Sequence, residues 1–236
     1  MSQMVSQPAV LCLETATTNC SVALFRGETL LECRENNEGG FSHAEKLHVF
    51  IEEVLDRAGL APSDLHAVAV SRGPGSYTGL RIGVSAAKGL AYALDIPLLS
   101  VDTLEVMARI AMENTPAHYL APMLDARRME VYTAVYDRSL MPVKPVSALV
   151  MQADSFADMA ARDADVCFFG DGMDKCRALL DAPGFSFLPG IFPSARAMGV
   201  AAAAKYRERR WEDVAYFEPY YLKDFVGTPP ASAPKR

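Results

Sequence analysis

The feature that most constrains the fold is a glycine-rich turn between an apolar segment and a helix-like segment. The apolar residues 67–70 (AVAV) precede the run GPGSYTG at 73–79, and residues 82–94 continue with helical spacing. Glycine adopts backbone angles closed to other residues and proline fixes one angle, so the turn is tight. The pattern predicts a strand, a turn and a helix start, with Ser76 or Thr78 as the capping residue.

Two interpretations of this turn stay open at this point. The free N–H groups and the positive dipole end of the helix suit an anion such as phosphate. A purely structural connection is the alternative, because glycine turns before helices are common in α/β proteins. The run is neither a Walker loop nor a dinucleotide fingerprint, since no Gly-Lys-Ser/Thr follows and the glycine spacing differs.

Composition limits the class of protein. The chain has 236 residues, of which 50% are hydrophobic and 22% charged, so it can bury a core as one large domain or two small ones. A net charge of −6 argues against holding nucleic acid unaided, and any tRNA role needs a basic partner.

The expected location is the cytoplasm, without a membrane anchor. The five cysteines are scattered through apolar runs, which is typical of reduced buried thiols rather than of a zinc site. Residues 1–7 lack a positive leader region, and no apolar run approaches the roughly 20 residues that span a bilayer.

The N-terminal half reads as a meander followed by alternating helices and strands. The predicted elements are strands at 10–14, 21–26, 29–34, 66–70 and 96–101 and helices at 42–58, 77–94 and 103–113. Short turns make the first three strands antiparallel, and Ser42 with Glu45 has capping-box spacing. Continuous apolar residues in the last two strands indicate parallel strands buried on both faces.

A second lobe begins with a new hairpin. The predicted elements are strands at 119–124, 129–136, 146–151 and 166–169 and helices near 154–161, 173–181 and 194–209. This order repeats that of the first half in shorter form, which indicates an internally duplicated architecture.

These segments jointly resemble the TsaB family, formerly YeaZ, over nearly the whole chain. The residues that carry the resemblance are Leu13-Glu14-Thr15-Ala16-Thr17, Cys20-Ser21-Val22-Ala23-Leu24, Ser42-His43-Ala44-Glu45, the run from Gly73 to Gly83, Met123-Leu124-Asp125-Ala126-Arg127 with Glu130-Val131-Tyr132, and Glu218-Pro219-Tyr220-Tyr221-Leu222. The resemblance implies an α/β, actin-like (ASKHA) fold of two ribonuclease-H-like lobes, the second reduced. We expect an N-terminal lobe at 1–108, a smaller lobe at 109–226 and a mobile tail at 227–236.

The resemblance also implies a function without catalysis. A family member would be the scaffold that dimerises with its paralogue TsaD and supports N6-threonylcarbamoylation of adenosine 37 in ANN-decoding tRNAs. TsaE would dock on that pair, a homodimer would compete with it, and tRNA would be bound only through the complex. The alternative class is a small actin-like nucleotide-binding enzyme that acts alone.

The histidine spacing favours the non-catalytic class. The catalytic paralogue would use two histidines at i and i+4, whereas His43 and His48 are five apart and diverge around a helix. We therefore expect no metal, and His43 as a polar surface or interface residue. No Gly-x-Ser-x-Gly elbow surrounds Ser76, which argues against a serine peptidase.

The sequence retains only parts of the nucleotide site that a kinase-like enzyme would need. The turn at 125–128 has no glycine for close phosphate approach, and residues 170–172 form a shortened nucleotide loop or a simple strand-to-helix turn. No cofactor is expected beyond residual ATP or ADP binding. The candidate nucleotide or phosphate residues are Glu14, Thr15, Gly73, Gly75, Ser76, Gly170 and Gly172.

The predicted partner interface lies on the helices at 42–58 and 77–93. A stripe of small residues on the second helix allows close approach by another helix, while packing on this protein's own sheet is the alternative. The candidate interface residues are His43, Leu47, Phe50, Gly79, Arg81, Gly83, Ala86, Ala87 and Leu90. We expect Gly83→Trp or Ala87→Arg to abolish TsaD binding and leave the fold near native.

Overall fold

The computed structural model describes residues 7–37 and 43–223, which form two five-stranded sheets. The first sheet contains β1 (Ala9–Glu14), β2 (Cys20–Arg26), β3 (Thr29–Asn36), β4 (Ala67–Gly73) and β5 (Leu98–Asp102). The second contains β6 (Tyr119–Asp125), β7 (Glu130–Tyr136), β8 (Pro142–Val150), β9 (Val166–Phe169) and β10 (Phe185–Leu188). The predicted Ser42 cap and the tail at 227–236 lie outside the described residues.

The two sheets have the same topology. The first runs in the order β3-β2-β1-β4-β5 and the second in the equivalent order β8-β7-β6-β9-β10. In each, the first three strands pair antiparallel and the last two join them in parallel. The predicted α/β class with two ribonuclease-H-like lobes is confirmed, while the domain boundaries at residues 108 and 226 stay predictions.

Six helices surround the sheets in the described part of the chain. They are α1 (His43–Ala58), α2 (Tyr77–Leu94), α3 (Thr103–Met112), α4 (Ala157–Ala160), α5 (Met173–Cys176) and α6 (Gly199–Arg207). Short 3-10 turns lie at Pro62–Asp64, Arg177–Leu179 and Ala195–Ala197. None of these helices has the length and apolarity that crossing a bilayer requires.

Four of the helices pack around the first sheet or between the two lobes. The helices α1 and α2 cover one face of the first sheet, where Leu47 and Ala87 join the core built by Leu11 and Leu13. The opposite face packs against α6 and the turn before it. Between the lobes lies α3, whose Leu104 and Met107 contribute to the core of the second sheet. The two long helices of the first lobe are therefore on its outer side.

The second lobe is reduced mainly in its helices. Instead of the predicted helix at 154–161, α4 is a single turn, and the left-handed Asp163 (φ 48°) turns the chain soon afterwards. The predicted helix at 173–181 ends at Cys176 and tightens into a 3-10 turn. The sequence pattern did not predict β10, a four-residue strand at the edge of the second sheet.

Candidate functional site

The glycine-rich turn places the N-terminus of α2 against the loop that follows β1. Ser76 caps the helix as predicted, and its Oγ accepts a hydrogen bond from the N–H of Gly79 at 3.2 Å. The N–H of Ser76 donates to the carbonyl of Ala16 at 2.7 Å. The Thr15 hydroxyl donates to the carbonyl of Gly79 at 2.8 Å. Thr15 and Ser76 thus both contact Gly79 in the first turn of α2.

The loop after β1 also fills the space in front of this turn. A Cβ atom at Gly75 would lie under 3 Å from the carbonyl oxygen of Ala16. A Cβ atom at Gly79 would lie under 3 Å from the carbonyl oxygen of Thr15. These glycines are therefore required by close packing inside the protein, as the structural alternative expected. Phosphate binding at the turn stays a prediction.

Glu14 ends β1 with a completely buried carboxyl group. Its Oε1 accepts hydrogen bonds from the N–H of Ala16 at 2.7 Å and from Ser71 Oγ at 2.8 Å. Within the described residues, Oε2 has no hydrogen-bond partner. Burial raises the pKa of Glu14 to about 7, although both hydrogen bonds lower it.

Gly170 and Gly172, in the loop after β9, pack against β6 of the second sheet. Gly170 has a φ of 104°, in the left-handed region that favours glycine, and a Cβ there would lie under 3 Å from the carbonyl oxygen of Met123. The N–H of Gly172 donates to the same carbonyl at 3.0 Å. Asp171 Oδ1 accepts a hydrogen bond from the N–H of Asp125 at 2.9 Å. The loop packs as a strand-to-helix turn, and nucleotide binding at Gly170 and Gly172 stays a prediction.

His43 is buried at the start of α1 and not at the surface, while its place in a partner interface stays a prediction. Its Nε2 lies 2.7 Å from the carbonyl oxygen of Thr17 and donates to it. Burial lowers the pKa of His43, which favours the neutral ring. His48 is exposed on the outer side of the same helix. Across residues 7–37 and 43–223, no group of three or more His, Cys, Asp or Glu side chains is arranged to hold a metal ion.

Burial divides the predicted interface residues into two groups. The buried members are His43, Leu47, Gly79, Gly83 and Ala87. Arg81 is exposed, and Phe50, Ala86 and Leu90 are half-buried. The buried members support the two helices from inside the first lobe, and only the second group can contact a partner directly.

Three members of the small-residue stripe of α2, Gly79, Gly83 and Ala87, pack inward, whereas Ala86 and Leu90 are half-buried. A Cβ atom at Gly83 would lie under 3 Å from Thr15 Oγ1, and Ala87 is completely buried in the core of the first lobe. The expectation that Gly83→Trp or Ala87→Arg leaves the fold near native is therefore wrong, because each large side chain would displace core atoms. These two substitutions cannot test an interface.

A groove between α1 and α2 lies on the outer side of the first lobe. Its volume is about 770 Å³, and most of its surface is apolar. The lining residues are Ala44, His48, Tyr77, Thr78, Arg81, Ile82, Ser85, Ala86, Gly89 and Leu90. Small side chains and Arg81 are among the residues that line it, so the groove has the size and polarity to accept helical side chains.

Residues 211–223, which we call the C-terminal segment, pack beside α2, and the sequence assigned them no role. Lys88 Nζ donates to the carbonyls of Ala215 at 3.1 Å and Phe217 at 3.0 Å. The N–H of Tyr220 donates to the carbonyl of Arg72 at 2.7 Å. Gly73 has a φ of 111°, and a Cβ there would lie 2.9 Å from the carbonyl oxygen of Tyr220. Four aromatic residues within positions 216–221 are the signal that could have indicated a packed segment.

The C-terminal segment reaches the groove through Tyr221. The Nε of Arg81 donates to Tyr221 Oη at 3.2 Å, and the guanidinium lies 4.0 Å from the centroid of the Tyr77 ring. The rings of Tyr77 and Tyr221 are 5.2 Å apart. Because Tyr77 and Arg81 both line the groove, this cluster connects the C-terminal segment to the groove.

Comparison with known proteins identifies the family. The model of the family described as TsaD, tRNA N6-adenosine threonylcarbamoyltransferase, matches residues 37–226. The Escherichia coli tRNA threonylcarbamoyladenosine biosynthesis protein TsaB is 30% identical over 92% of this chain and 95% of its own length. This chain belongs to the TsaB family. The Bacillus subtilis TsaB protein is 33% identical over 68% of this chain and 70% of its own length.

Solved structures agree with membership of the TsaB family. YeaZ from Pseudomonas aeruginosa superimposes with a TM-score of 0.79 at 29% identity, covering 91% of this chain and 100% of that protein. A second Pseudomonas aeruginosa structure, described as similar to the peptidase YeaZ, gives a TM-score of 0.77 at 27% identity. It covers 92% of this chain and 100% of the other. The fold of this TsaB-family chain is thus shared along nearly its full described length.

Proposed function

We propose that this chain is the non-catalytic scaffold that binds a TsaD-family threonylcarbamoyltransferase and supports its action on adenosine 37 of ANN-decoding tRNAs. Membership of a family whose relatives are named for threonylcarbamoyladenosine biosynthesis supports a role in that modification. The single observation that carries the specific role is the open groove between α1 and α2.

The occupant of the groove is the equivalent helix pair of the transferase. The transferase family model matches residues 37–226, a range that includes both α1 and α2. The partner therefore has a counterpart of each helix, and two like helix pairs can associate about an approximate two-fold axis. An apolar groove with one arginine in its wall matches the composition of such interfaces.

The polar residues near the glycine turn support a scaffold rather than an enzyme. His43 hydrogen-bonds to the backbone of Thr17, and Glu14 accepts hydrogen bonds from Ser71 and from the N–H of Ala16. Thr15 packs against α2 through its hydroxyl group. These side chains are engaged in holding the first lobe together, so the transferase would supply the reacting groups.

The other partners follow from the same surface. A second copy of this chain would use the same groove, so a homodimer would compete with the heterodimer. TsaE would dock on the assembled pair. With a net charge of −6, this chain would contact tRNA only through the complex, in the cytoplasm.

Size-exclusion chromatography of this chain with the TsaD-family protein of the same organism tests the proposal. Each protein alone is the control, and threonylcarbamoyl transfer to tRNA is assayed on the eluted peak with TsaE added. We expect co-elution and activity that requires both proteins. Absence of a complex, together with ATP hydrolysis by this chain alone, would instead favour a nucleotide-binding enzyme.

A further inference from the structure

The C-terminal segment fixes the orientation of Arg81, the one arginine among the described residues that line the groove. Arg81 projects from the first turns of α2 and is exposed, so its long side chain would otherwise sample several rotamers. The hydrogen bond from Nε to Tyr221 Oη fixes one edge of the guanidinium, and the ring of Tyr77 lies against its plane. Both contacts act on the same planar group, which restricts its direction as well as its position.

Tyr221 is itself held by the first lobe. The N–H of the preceding Tyr220 donates to the carbonyl of Arg72, and the guanidinium of Arg72 lies 5.4 Å from the centroid of the Tyr220 ring. Arg72 in turn pairs with Asp102 through two hydrogen bonds of 2.8 and 3.1 Å. The hydroxyl group that orients Arg81 therefore belongs to an anchored segment rather than to a free tail.

We propose that Tyr221 is a positioning residue for partner binding, which holds Arg81 so that its guanidinium meets a carboxylate of the partner in the groove. This rests on the proposed function and adds the C-terminal segment to the binding surface. A guanidinium held in one plane loses less side-chain entropy when it forms a two-bond pair with a carboxylate. The guanidinium is charged at any physiological pH, so it is available for such a pair.

A double-mutant cycle on the complex tests this role. Titration calorimetry measures the Kd of the transferase for the full-length chain and for Arg81→Ala, Tyr221→Phe and the double variant. Tyr221→Phe keeps the ring contact with Tyr77 and removes only the hydroxyl group. The matched control is Tyr216→Phe, because that side chain lies in the same segment and is 83% exposed.

We expect Tyr221→Phe to weaken binding about threefold to tenfold, the range of one lost hydrogen bond. Tyr216→Phe should bind like wild type, and Tyr221→Phe should cause no further loss when Arg81 is already alanine. Binding by wild type and Arg81→Ala should also differ in salt dependence, because a charge pair is lost. Wild-type affinity of Tyr221→Phe, or an equal loss in the Arg81→Ala background, would overturn the role of Tyr221. Failure of the wild-type chain to bind would overturn the proposed function itself.

Discussion

At the level of single residues, Thr15 requires glycine at two positions of α2. Its carbonyl oxygen faces Gly79 and its hydroxyl group faces Gly83, one helical turn further along. In contrast, no atom lies within 4 Å of a Cβ built at Gly89. Close packing therefore requires glycine at positions 79 and 83 but not at position 89, and sequence spacing alone cannot distinguish these cases.

Alanine substitutions at two of these glycines should have opposite effects on stability. Gly79→Ala forces the loop after β1 to move and should lower the free energy of unfolding by about 2 kcal/mol, as overpacking does. Gly89→Ala meets no atom and should raise it by about 0.5–1 kcal/mol, because alanine favours helix. Urea unfolding of the two variants measures both changes. Equal stability of the pair would contradict the packing described for Thr15.

Glu14 is the second residue whose environment has a measurable consequence. The pKa of its carboxyl group rises from 4.5 to about 7 on folding, mainly because of burial. The unfolded chain releases this proton at lower pH than the folded chain does. The free energy of unfolding should therefore fall as the pH rises from about 4.5 to about 7.

Glu14→Gln should remove this part of the pH dependence. Glutamine is neutral at every pH, so the variant has no proton to lose at this position. Relative to the variant, wild type should lose about 3 kcal/mol of unfolding free energy between pH 4.5 and pH 8, an upper value for a shift of this size. Chemical denaturation at four pH values gives both slopes. Parallel pH profiles for the two proteins would contradict a buried, neutral Glu14.

At the level of elements, the C-terminal segment is as much a part of the first lobe as α2. Val214 and Phe217 pack against the core shared by α1, α2 and the first sheet. The backbone of Glu212 pairs with Leu98 at the edge of that sheet. The segment therefore covers one edge of the sheet and supports α2 at the same time.

Two neighbouring aromatic residues of this segment, one half-buried and one exposed, allow its packing to be tested. Phe217→Ala should lower the free energy of unfolding by about 1–3 kcal/mol, because a half-buried ring leaves the core. Tyr216→Ala should change it by less than about 0.5 kcal/mol, because the side chain is exposed. Thermal and urea denaturation compare the two variants. A larger loss in Tyr216→Ala would mean that the segment packs with the opposite face.

Local patterns in the sequence predict where the helices and strands lie better than they predict which elements pack against each other. Apolar runs and helical spacing predict nine of the ten described strands and both α1 and α2, since those signals depend on adjacent residues. The inward packing of Gly79 and Gly83 on α2 depends on Thr15, which is 64 residues away from Gly79. The fixed C-terminal segment depends on Arg72 and Lys88, which are more than 120 positions from their partners. Such long-range contacts produce no periodic pattern in the amino-acid sequence.

At the level of the whole molecule, the lobes share one topology but differ in their helices. The first lobe carries two long helices on its outer side, whereas the corresponding helices of the second lobe are single turns. The C-terminal segment connects both lobes, because Lys223 forms an ion pair with Glu130 of β7. The candidate binding surface therefore belongs to the larger lobe and is completed by the end of the described chain.

The most direct test of the account measures the affinity of the transferase for Gly89→Arg and Val200→Arg. Gly89 lines the groove and has free space around it, so arginine should block docking without disturbing the fold. Val200 is 46% exposed on α6, a helix on the opposite face of the first sheet. We predict at least about tenfold weaker binding for Gly89→Arg and wild-type binding for Val200→Arg, with unchanged circular dichroism. Wild-type affinity of Gly89→Arg would contradict the groove as the binding surface.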